Sequence, residues 1–286
     1  MSKPILERDD ELAVLGSAAR EAGDGAGSVV LISGEAGIGK SSLVQAIRRV
    51  LPAEGRLLVG YCDDLATPRV LGPLRDLIGS VGTTLTTALE RGDRGEVLEA
   101  LRTELAWAKH PTVLAIEDVH WADEATFDVL RYLVRRAPEL PLVLVLTYRD
   151  DEVTTDHPLR QLLGLASRVG RVSRLHPARL TISAVQRLSA AAHVDAEEVF
   201  AVTSGNPYFV AEVLAAGDTA AVPLTIADAV RARVAQLDPA TAEILERLAV
   251  IPSAVHQWLW KHLSLRVRRR SLRPSSAACS RSRRAG

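Results

Sequence analysis

The sequence predicts an α/β fold, in which a parallel β-sheet is covered by helices on both faces and a small all-α segment follows. Three observations lead to this fold class. Short apolar runs rich in β-branched residues alternate with helical patterns up to about Ala178, as in buried parallel sheets. A glycine-rich loop separates the first of these runs from a helix. Beyond Ala178 only helical patterns remain.

The elements follow in chain order. Strands are predicted over residues 28–33, 56–62, 112–116, 142–148 and 171–175. Helices between them are predicted over 9–22, 40–51, 123–136 and 158–169, and residues 71–109 are predicted to be mostly helical. The all-α segment is predicted to contain helices over 181–192, 195–203, 207–216, 225–237 and 240–251.

Composition excludes several classes of protein. Of 286 residues, 47% are hydrophobic and 24% are charged, which is typical of globular chains. No apolar run approaches the about 20 residues of a membrane span, and the N-terminus lacks the apolar core of a signal peptide. The two cysteines, Cys62 and Cys279, indicate neither a disulfide framework nor a metal site. We therefore expect a cytoplasmic protein with no membrane partner.

Charge is distributed unevenly along the chain. Residues 261–286 contain nine basic residues and no acidic one, so residues 1–260 carry a net charge of −9 although the whole chain is neutral. An acidic body is a poor general binder of nucleic acid, and DNA is not expected as a partner.

Residues 34–41, GEAGIGKS, match the phosphate-binding pattern G-x-x-x-x-G-K-[ST] between a strand and a helix. Glycines allow successive backbone N–H groups to point at phosphate oxygens. Lys40 is predicted to reach the β- and γ-phosphates of ATP or ADP, and the Ser41 hydroxyl to bind Mg²⁺. The residues predicted to bind the nucleotide here are Gly34, Glu35, Ala36, Gly37, Ile38, Gly39, Lys40, Ser41 and Ser42.

Two carboxylates end the third predicted strand, where open α/β sheets bind ligands. Glu117 is predicted to bind Mg²⁺ and Asp118 to polarise the attacking water. An acidic turn after a strand is the alternative. Asp123 is predicted to cap a helix, and the neighbouring His120 and Trp121 are compatible with a packed loop.

Arg149 follows the fourth predicted strand and could read the charge of the γ-phosphate. A surface arginine paired with Asp150 or Asp151 is the alternative. In the all-α segment, Gly205-Asn206-Pro207 is compatible with an ordinary helix N-terminus that carries proline at its first position.

Together these motifs resemble the ATPase module of the STAND class of AAA-type ATPases. More narrowly, they resemble the N-terminal part of large ATP-binding LuxR-type (LAL) transcriptional regulators. The segments that carry the resemblance are LERDDEL at 6–12, SGEAGIGKSSL at 33–43, CDDLATPRVLGPLRDL at 62–77, IEDVHWADEAT at 116–126, LTYRDDE at 146–152, HPLRQLL at 157–163 and SGNPYFV at 204–210.

The resemblance implies that Arg8 and Pro207 flank the adenine, that Arg149 senses phosphate, and that Glu117 and Asp118 take the metal-side and catalytic positions. Many STAND proteins carry Asp where this chain has Glu117. The resemblance also implies a switch that rests with ADP, self-associates with ATP and an unidentified inducer, and hydrolyses ATP slowly. Its domains would be an ATPase domain over 1–178, a helical lid over 179–222 and the start of a winged-helix region over 223–260.

Residues 261–286 lose the helical apolar period and form a basic tail that we expect to be disordered. We expect the chain to be truncated or frameshifted near residue 260, without the C-terminal DNA-binding domain of LuxR-type proteins. A genuine basic tail for nucleic acid or membrane is the alternative. The competing functions are a stand-alone AAA-type ATPase, the ATPase sensor module of a kinase or cyclase, and DNA binding through the tail.

Overall fold

The computed structural model describes residues 5–106, 110–190, 192–217, 224–235 and 237–249. The chain divides into two compact units, Met1–Thr219 and Ala220–Gly286. The basic tail, Cys279 and the predicted frameshift lie outside the described residues.

One five-stranded sheet organises the first unit within the described residues. All strand pairs are parallel, in the order β2-β3-β4-β1-β5. The strands are β1 Ser28–Ser33, β2 Arg56–Tyr61, β3 Thr112–Glu117, β4 Leu142–Tyr148 and β5 Val172–Leu175. The predicted α/β class with a parallel sheet is therefore confirmed, and each of the five strands lies within about two residues of its predicted bounds.

The described helices of the first unit are α1 Asp9–Gly23, α2 Lys40–Ala46, α3 Gly72–Arg75, α4 Thr83–Arg91, α5 Arg94–Leu105, α6 Glu124–Arg136, α7 Leu159–Ala166, α8 Ile182–Ser189, α9 Ala196–Thr203 and α10 Pro207–Ala216. Short 3₁₀ turns cover Ile47–Arg49, Val119–Trp121, Ala137–Glu139 and Asp150–Glu152. The second unit contains α11 Leu224–Ala235 and α12 Pro239–Leu248.

The prediction of one helix over 40–51 is wrong at its end. The α-helix stops at Ala46 and tightens into the 3₁₀ turn Ile47–Arg49, a common way to satisfy the last backbone groups of a helix. The predicted cap is confirmed, because the Asp123 carboxylate accepts from the backbone N–H of Thr126 at 3.1 Å. None of the described helices is both long enough and apolar enough to cross a lipid bilayer.

Helices cover the sheet on both faces, and alternate residues of β1 enter two separate cores. Val30 and Ile32 pack with Leu15 of α1 and Leu43 of α2. Val29 and Leu31 enter the other core, whose helical members include Leu101 of α5, Leu130 of α6 and Leu162 of α7. β3 and β4 are buried along their whole length. The sheet is therefore a rigid base whose carboxyl ends emerge at one edge.

The turn before β1 leaves no room for a side chain at Gly27. A Cβ atom there would lie 2.1 Å from the carbonyl oxygen of Ala137, 2.4 Å from that of Leu140 and 2.5 Å from that of Leu142. These three oxygens belong to backbone that leads into a buried strand, so they cannot move away cheaply.

We expect Gly27→Ala to lower the free energy of unfolding by about 3 kcal/mol because of this overlap. Gly164→Ala is the matched control, since Gly164 lies in α7 with open space around its Cβ position. That change should raise stability by about 0.5–1 kcal/mol through helix propensity. Urea unfolding of both variants measures the difference, and equal effects would contradict the described turn.

Candidate functional site

The loop between β1 and α2 owes its course to glycine. Gly34, Gly37 and Gly39 have φ values of +149°, +77° and +99°, which other residues rarely adopt. Gly39 directly precedes the first helical residue, Lys40. The predicted phosphate loop therefore lies between strand and helix, as its sequence pattern requires.

Lys40 folds back over this loop. Its Nζ donates to the carbonyl oxygen of Gly34 at 2.8 Å and to that of Glu35 at 3.1 Å. Burial lowers the pKa of Lys40, and the negative charge of Asp118 opposes this shift. An ammonium group has three donors, so among the described residues one N–H remains for an anionic ligand.

Glu117 ends β3 in a buried position with an incomplete hydrogen-bond set. It is 2% exposed, and its Oε1 has no hydrogen-bond partner among the described residues. Burial raises the pKa of Glu117, while a hydrogen bond from the Ser41 hydroxyl lowers it. The two residues predicted to bind metal, Ser41 and Glu117, are therefore brought together. A buried carboxylate oxygen without a partner is unfavourable unless a ligand completes it.

Asp118 has a left-handed backbone, with φ of +53° and ψ of +45°. Its backbone N–H donates to the Thr147 hydroxyl on the neighbouring strand β4 at 3.0 Å. Such backbone strain in residues other than glycine is concentrated at functional sites. The sequence did not single out Thr147, because a threonine inside a buried strand is also an ordinary packing residue.

Arg149 contacts side chains of two 3₁₀ turns, one directly after it and one after β3. Its guanidinium donates to Glu152 Oε1 at 2.5 Å and lies 4.8 Å from the centre of the Trp121 ring. The observed ion-pair partner is Glu152, whereas the sequence alternative was Asp150 or Asp151. Arg149 is thus positioned, with about a quarter of its side chain exposed.

His120 is buried beside the same group. Its Nε2 lies 3.2 Å from Glu152 Oε2 without hydrogen-bond geometry, and its ring centre lies 4.5 Å from that of Trp121. Burial lowers the pKa of His120, whereas the charges of Asp118 and Glu152 raise it. The expected packing of His120 and Trp121 is therefore present, and it connects them to the partner of Arg149.

A cavity of about 740 Å³ lies between the N-terminal segment, α2, α8 and α10. Among its lining residues are Arg8, Ser42 and Pro207, three of the predicted nucleotide-binding residues. Gly39 and Ser41 of the phosphate loop also line it, so the cavity reaches that loop. A volume of this size and a largely apolar lining are typical of small-molecule sites.

Arg8 borders this cavity but binds the protein itself. It is 3% exposed and donates to the carbonyl oxygens of Ile38 at 3.2 Å and Ala178 at 2.6 Å. Burial lowers the pKa of Arg8, while Glu11 and Glu7 oppose this. Arg8 therefore links the phosphate loop to the segment that follows β5.

Glu117→Gln should raise the free energy of unfolding of the ligand-free protein at neutral pH by about 1 kcal/mol, because it removes a buried charge. The pKa of Glu117 is raised in the folded state, so the wild type loses stability as pH rises from about 4.3 through that raised pKa. The gain of the variant should be complete above this range and absent below it.

Thermal unfolding from pH 4 to pH 8 measures this effect, with Glu90→Gln at an exposed position of α4 as control. The control should shift Tm by less than about 1 °C. A pH-independent gain in Glu117→Gln would show that the carboxyl group is not responsible.

Within the described residues, no group of three or more His, Cys, Asp or Glu side chains is arranged so that it could hold a metal ion. Mg²⁺ commonly uses one or two carboxylates together with water and phosphate oxygens. The pairing of Ser41 with Glu117 therefore fits a Mg²⁺ ion that arrives with a phosphate ligand.

Solved structures similar to this chain have low sequence identity. A STAND protein with a tetratricopeptide repeat sensor from Pyrococcus horikoshii has a TM-score of 0.49 at 18% identity, over 90% of this chain and 37% of that chain. The RuvB Holliday junction branch migration motor of Thermotoga maritima has a TM-score of 0.40 at 17% identity, over 72% and 61%. Cdc6p from Pyrobaculum aerophilum has a TM-score of 0.45 at 13% identity, over 66% and 49%.

Sequence comparison places the site within a family. An uncharacterized protein of Rhizobium meliloti (strain 1021) is 29% identical, and the match covers 52% of this chain but only 19% of the length of that relative. The family model of the AAA ATPase domain matches residues 4–146, which make up half of the chain and include the phosphate loop, Glu117 and Asp118. The chain therefore belongs to the AAA ATPase domain family.

Proposed function

We propose that the chain is an ATP-dependent regulatory switch that binds ATP and ADP with Mg²⁺ and hydrolyses ATP slowly. The observation that carries this proposal is the glycine-rich loop between β1 and α2, over which Lys40 folds back, together with the buried and incompletely paired carboxyl group of Glu117 at the end of β3. Membership in the AAA ATPase domain family supports the proposal that the chain binds a nucleotide. The further assignment, to the ATPase module of a LuxR-type regulator, is supported by the sequence motifs described above.

Phosphate binding is the first part of the proposal. Loop residues 34–39 would contribute backbone N–H groups, and Lys40 would use its remaining donor on the β- and γ-phosphates. The buried position of Lys40 strengthens such a contact, because few waters compete for its charge. Ser42 lines the cavity beside the loop and would contact the nucleotide on that side.

Magnesium is the second part. Ser41 and Glu117 would hold the ion, and the buried Glu117 Oε1 offers an acceptor that no described residue uses. Bound Mg²⁺ would neutralise charge on the phosphate oxygens. Because burial disfavours the ionised form of Glu117, a nearby cation would also lower the pKa of this carboxyl group.

Hydrolysis would depend on Asp118 and Arg149. The hydrogen bond from Asp118 N–H to Thr147 fixes the backbone of Asp118, so that its carboxylate can accept a proton from an attacking water. Arg149 would contact the γ-phosphate only after leaving Glu152, its present partner. Because Arg149 must first break its ion pair with Glu152, we expect hydrolysis of ATP to be slow.

The base and ribose would occupy the 740 Å³ cavity. Arg8 and Pro207 lie at its wall and would flank the adenine. We propose, in line with the motifs, an ATPase domain over 1–178, a lid over 179–222 and the start of a winged-helix region over 223–260. The position of this lid would differ between the ATP-bound and the ADP-bound protein.

Nucleotide binding by Lys40→Ala tests the first part. Titration calorimetry with ATP and with ADP in the presence of Mg²⁺ should give an affinity about 10- to 100-fold lower than the wild type, because a charge-assisted hydrogen bond is worth about 1.5–3 kcal/mol. Arg168→Ala, at an exposed position after α7, should bind as the wild type does. Absence of binding by folded wild-type protein would contradict the proposal.

Turnover tests whether the protein is a switch or a stand-alone AAA-type ATPase. We expect fewer than about one ATP hydrolysed per second, below the usual range of enzymes, and a rate that rises with protein concentration as ATP drives self-association. Asp118→Asn should retain ATP binding and lose turnover. Fast turnover that is independent of protein concentration, in a protein that stays monomeric by light scattering with ATP, would instead favour the stand-alone ATPase.

A further inference from the structure

We propose that Asn206 is a positioning residue that holds the phosphate loop in its nucleotide-binding shape and ties it to the helical segment after β5. This inference rests on the proposed nucleotide binding for its functional meaning. The Asn206 amide contacts the loop on one side and α10 on the other. It is 3% exposed, so these contacts form largely away from competing water.

The nitrogen and the oxygen of the Asn206 amide bond different segments. Nδ2 donates to the carbonyl oxygen of Ala36 at 3.0 Å and to Glu35 Oε1 at 3.0 Å. Oδ1 accepts from the backbone N–H of Tyr208 at 3.1 Å and caps α10. Both loop partners are acceptors and the helix partner is a donor, so only one orientation of the amide satisfies the site. Aspartate or serine could cap the helix, but neither could also donate twice to the loop.

Gly37 shows how closely the two segments approach. Its carbonyl oxygen shares the backbone N–H of Tyr208 with Asn206 Oδ1, and each oxygen lies 3.1 Å from that nitrogen. A Cβ atom on Gly37 would lie 2.7 Å from Tyr208 Cβ and 2.8 Å from Asn206 Oδ1. The phosphate-binding pattern does not itself require glycine at this position, whereas the positive φ of Gly37 and its contact with Asn206 and Tyr208 do.

Successive carbonyl groups of the loop are therefore held from outside. Asn206 holds Ala36, Tyr208 holds Gly37 and Arg8 holds Ile38. In a planar trans peptide the C=O and the following N–H point in opposite directions. Fixing the carbonyls of Ala36 and Ile38 on the outer side thus directs the N–H groups of Gly37 and Gly39 towards the inner side, where phosphate would bind, while the Ile38 N–H donates to the Glu35 carbonyl oxygen at 3.4 Å.

Glu35 adds a second, more exposed contact. Arg179 donates to both of its carboxylate oxygens, at 2.8 and 2.7 Å. The Glu35 side chain is 30% exposed and that of Arg179 is 49% exposed, and ion pairs at such exposure contribute little. The buried Asn206 amide is therefore the stronger link between the loop and the helical segment.

Asn206→Ser is the sharpest test, because serine retains an N-cap oxygen and lacks the amide Nδ2 group that donates to both Glu35 and Ala36. Asp195→Ala is the matched control, since the Asp195 carboxylate caps the neighbouring helix α9 by accepting from the backbone N–H groups of Glu197 and Glu198. In nucleotide-free protein, hydrogen exchange of the Ile38 and Tyr208 amides, which donate to the carbonyl oxygens of Glu35 and Gly37, should become at least about fivefold faster in Asn206→Ser. It should remain as in wild type in Asp195→Ala.

Affinity for ADP provides the functional readout. Asn206→Ser should weaken ADP binding by about tenfold, as expected for a lost hydrogen-bonding group. Asn206→Asp should weaken it further, because its carboxylate faces that of Glu35. Combining Asn206→Asp with Glu35→Gln removes this repulsion and should recover part of the loss, which a role in helix capping alone would not produce.

Two outcomes would overturn the proposal: loop exchange in Asn206→Ser equal to wild type, or a wild type that binds ADP measurably with an affinity that Asn206→Ser retains in full. If Asn206→Ser does not fold, Glu35→Ala removes one of the two loop acceptors at the surface and should still accelerate exchange of the loop amides. Failure of nucleotide binding itself is recognised separately, since wild type would then bind no better than Lys40→Ala while loop exchange would still respond to Asn206→Ser.

Discussion

The parallel pairing of β1, β3 and β4 is the constraint on which the site depends. Ser33 pairs with Tyr148, and Ile116 pairs with Leu146, so these strands end at the same edge of the sheet. The loop that follows β1, the carboxylates that follow β3 and Arg149 after β4 therefore emerge side by side. A register shift of one residue would reverse the faces of a whole strand and remove its side chains from the cores.

The site contains ionisable side chains in buried positions, where the charged form of each is unfavourable. Burial shifts the pKa values of Lys40, Arg8 and His120 down and that of Glu117 up, in each case towards the neutral form. Such groups lower stability, and the two apolar cores on either face of the sheet offset this. The arrangement is typical of sites prepared for a charged ligand, which would stabilise the folded protein when it binds.

The sequence predicted those parts of the structure that depend on local patterns. The five strands follow from apolar runs, and the positions of Lys40 and Ser41 follow from a loop pattern whose spacing has a direct physical meaning. The end of α2 at Ala46 was missed, because helical spacing continues through the 3₁₀ turn. Glu152 as partner of Arg149, and Asn206 as partner of Ala36, depend on how distant segments pack, which no local pattern encodes. Asn206 looked like an ordinary helix cap because it is also one.

The close approach at Gly37 has a consequence for exchanging parts between related ATPases. A side chain at this position is excluded by Asn206 and Tyr208, which lie about 170 residues further along the chain. The surfaces of the phosphate loop and of the start of α10 are therefore complementary in shape and hydrogen bonding. A chimaera that takes helices α8–α10 from a relative would therefore need residues 35–37 of the same relative as well. A loop from one protein would otherwise clash with the start of α10 from the other protein, or fail to form hydrogen bonds with it.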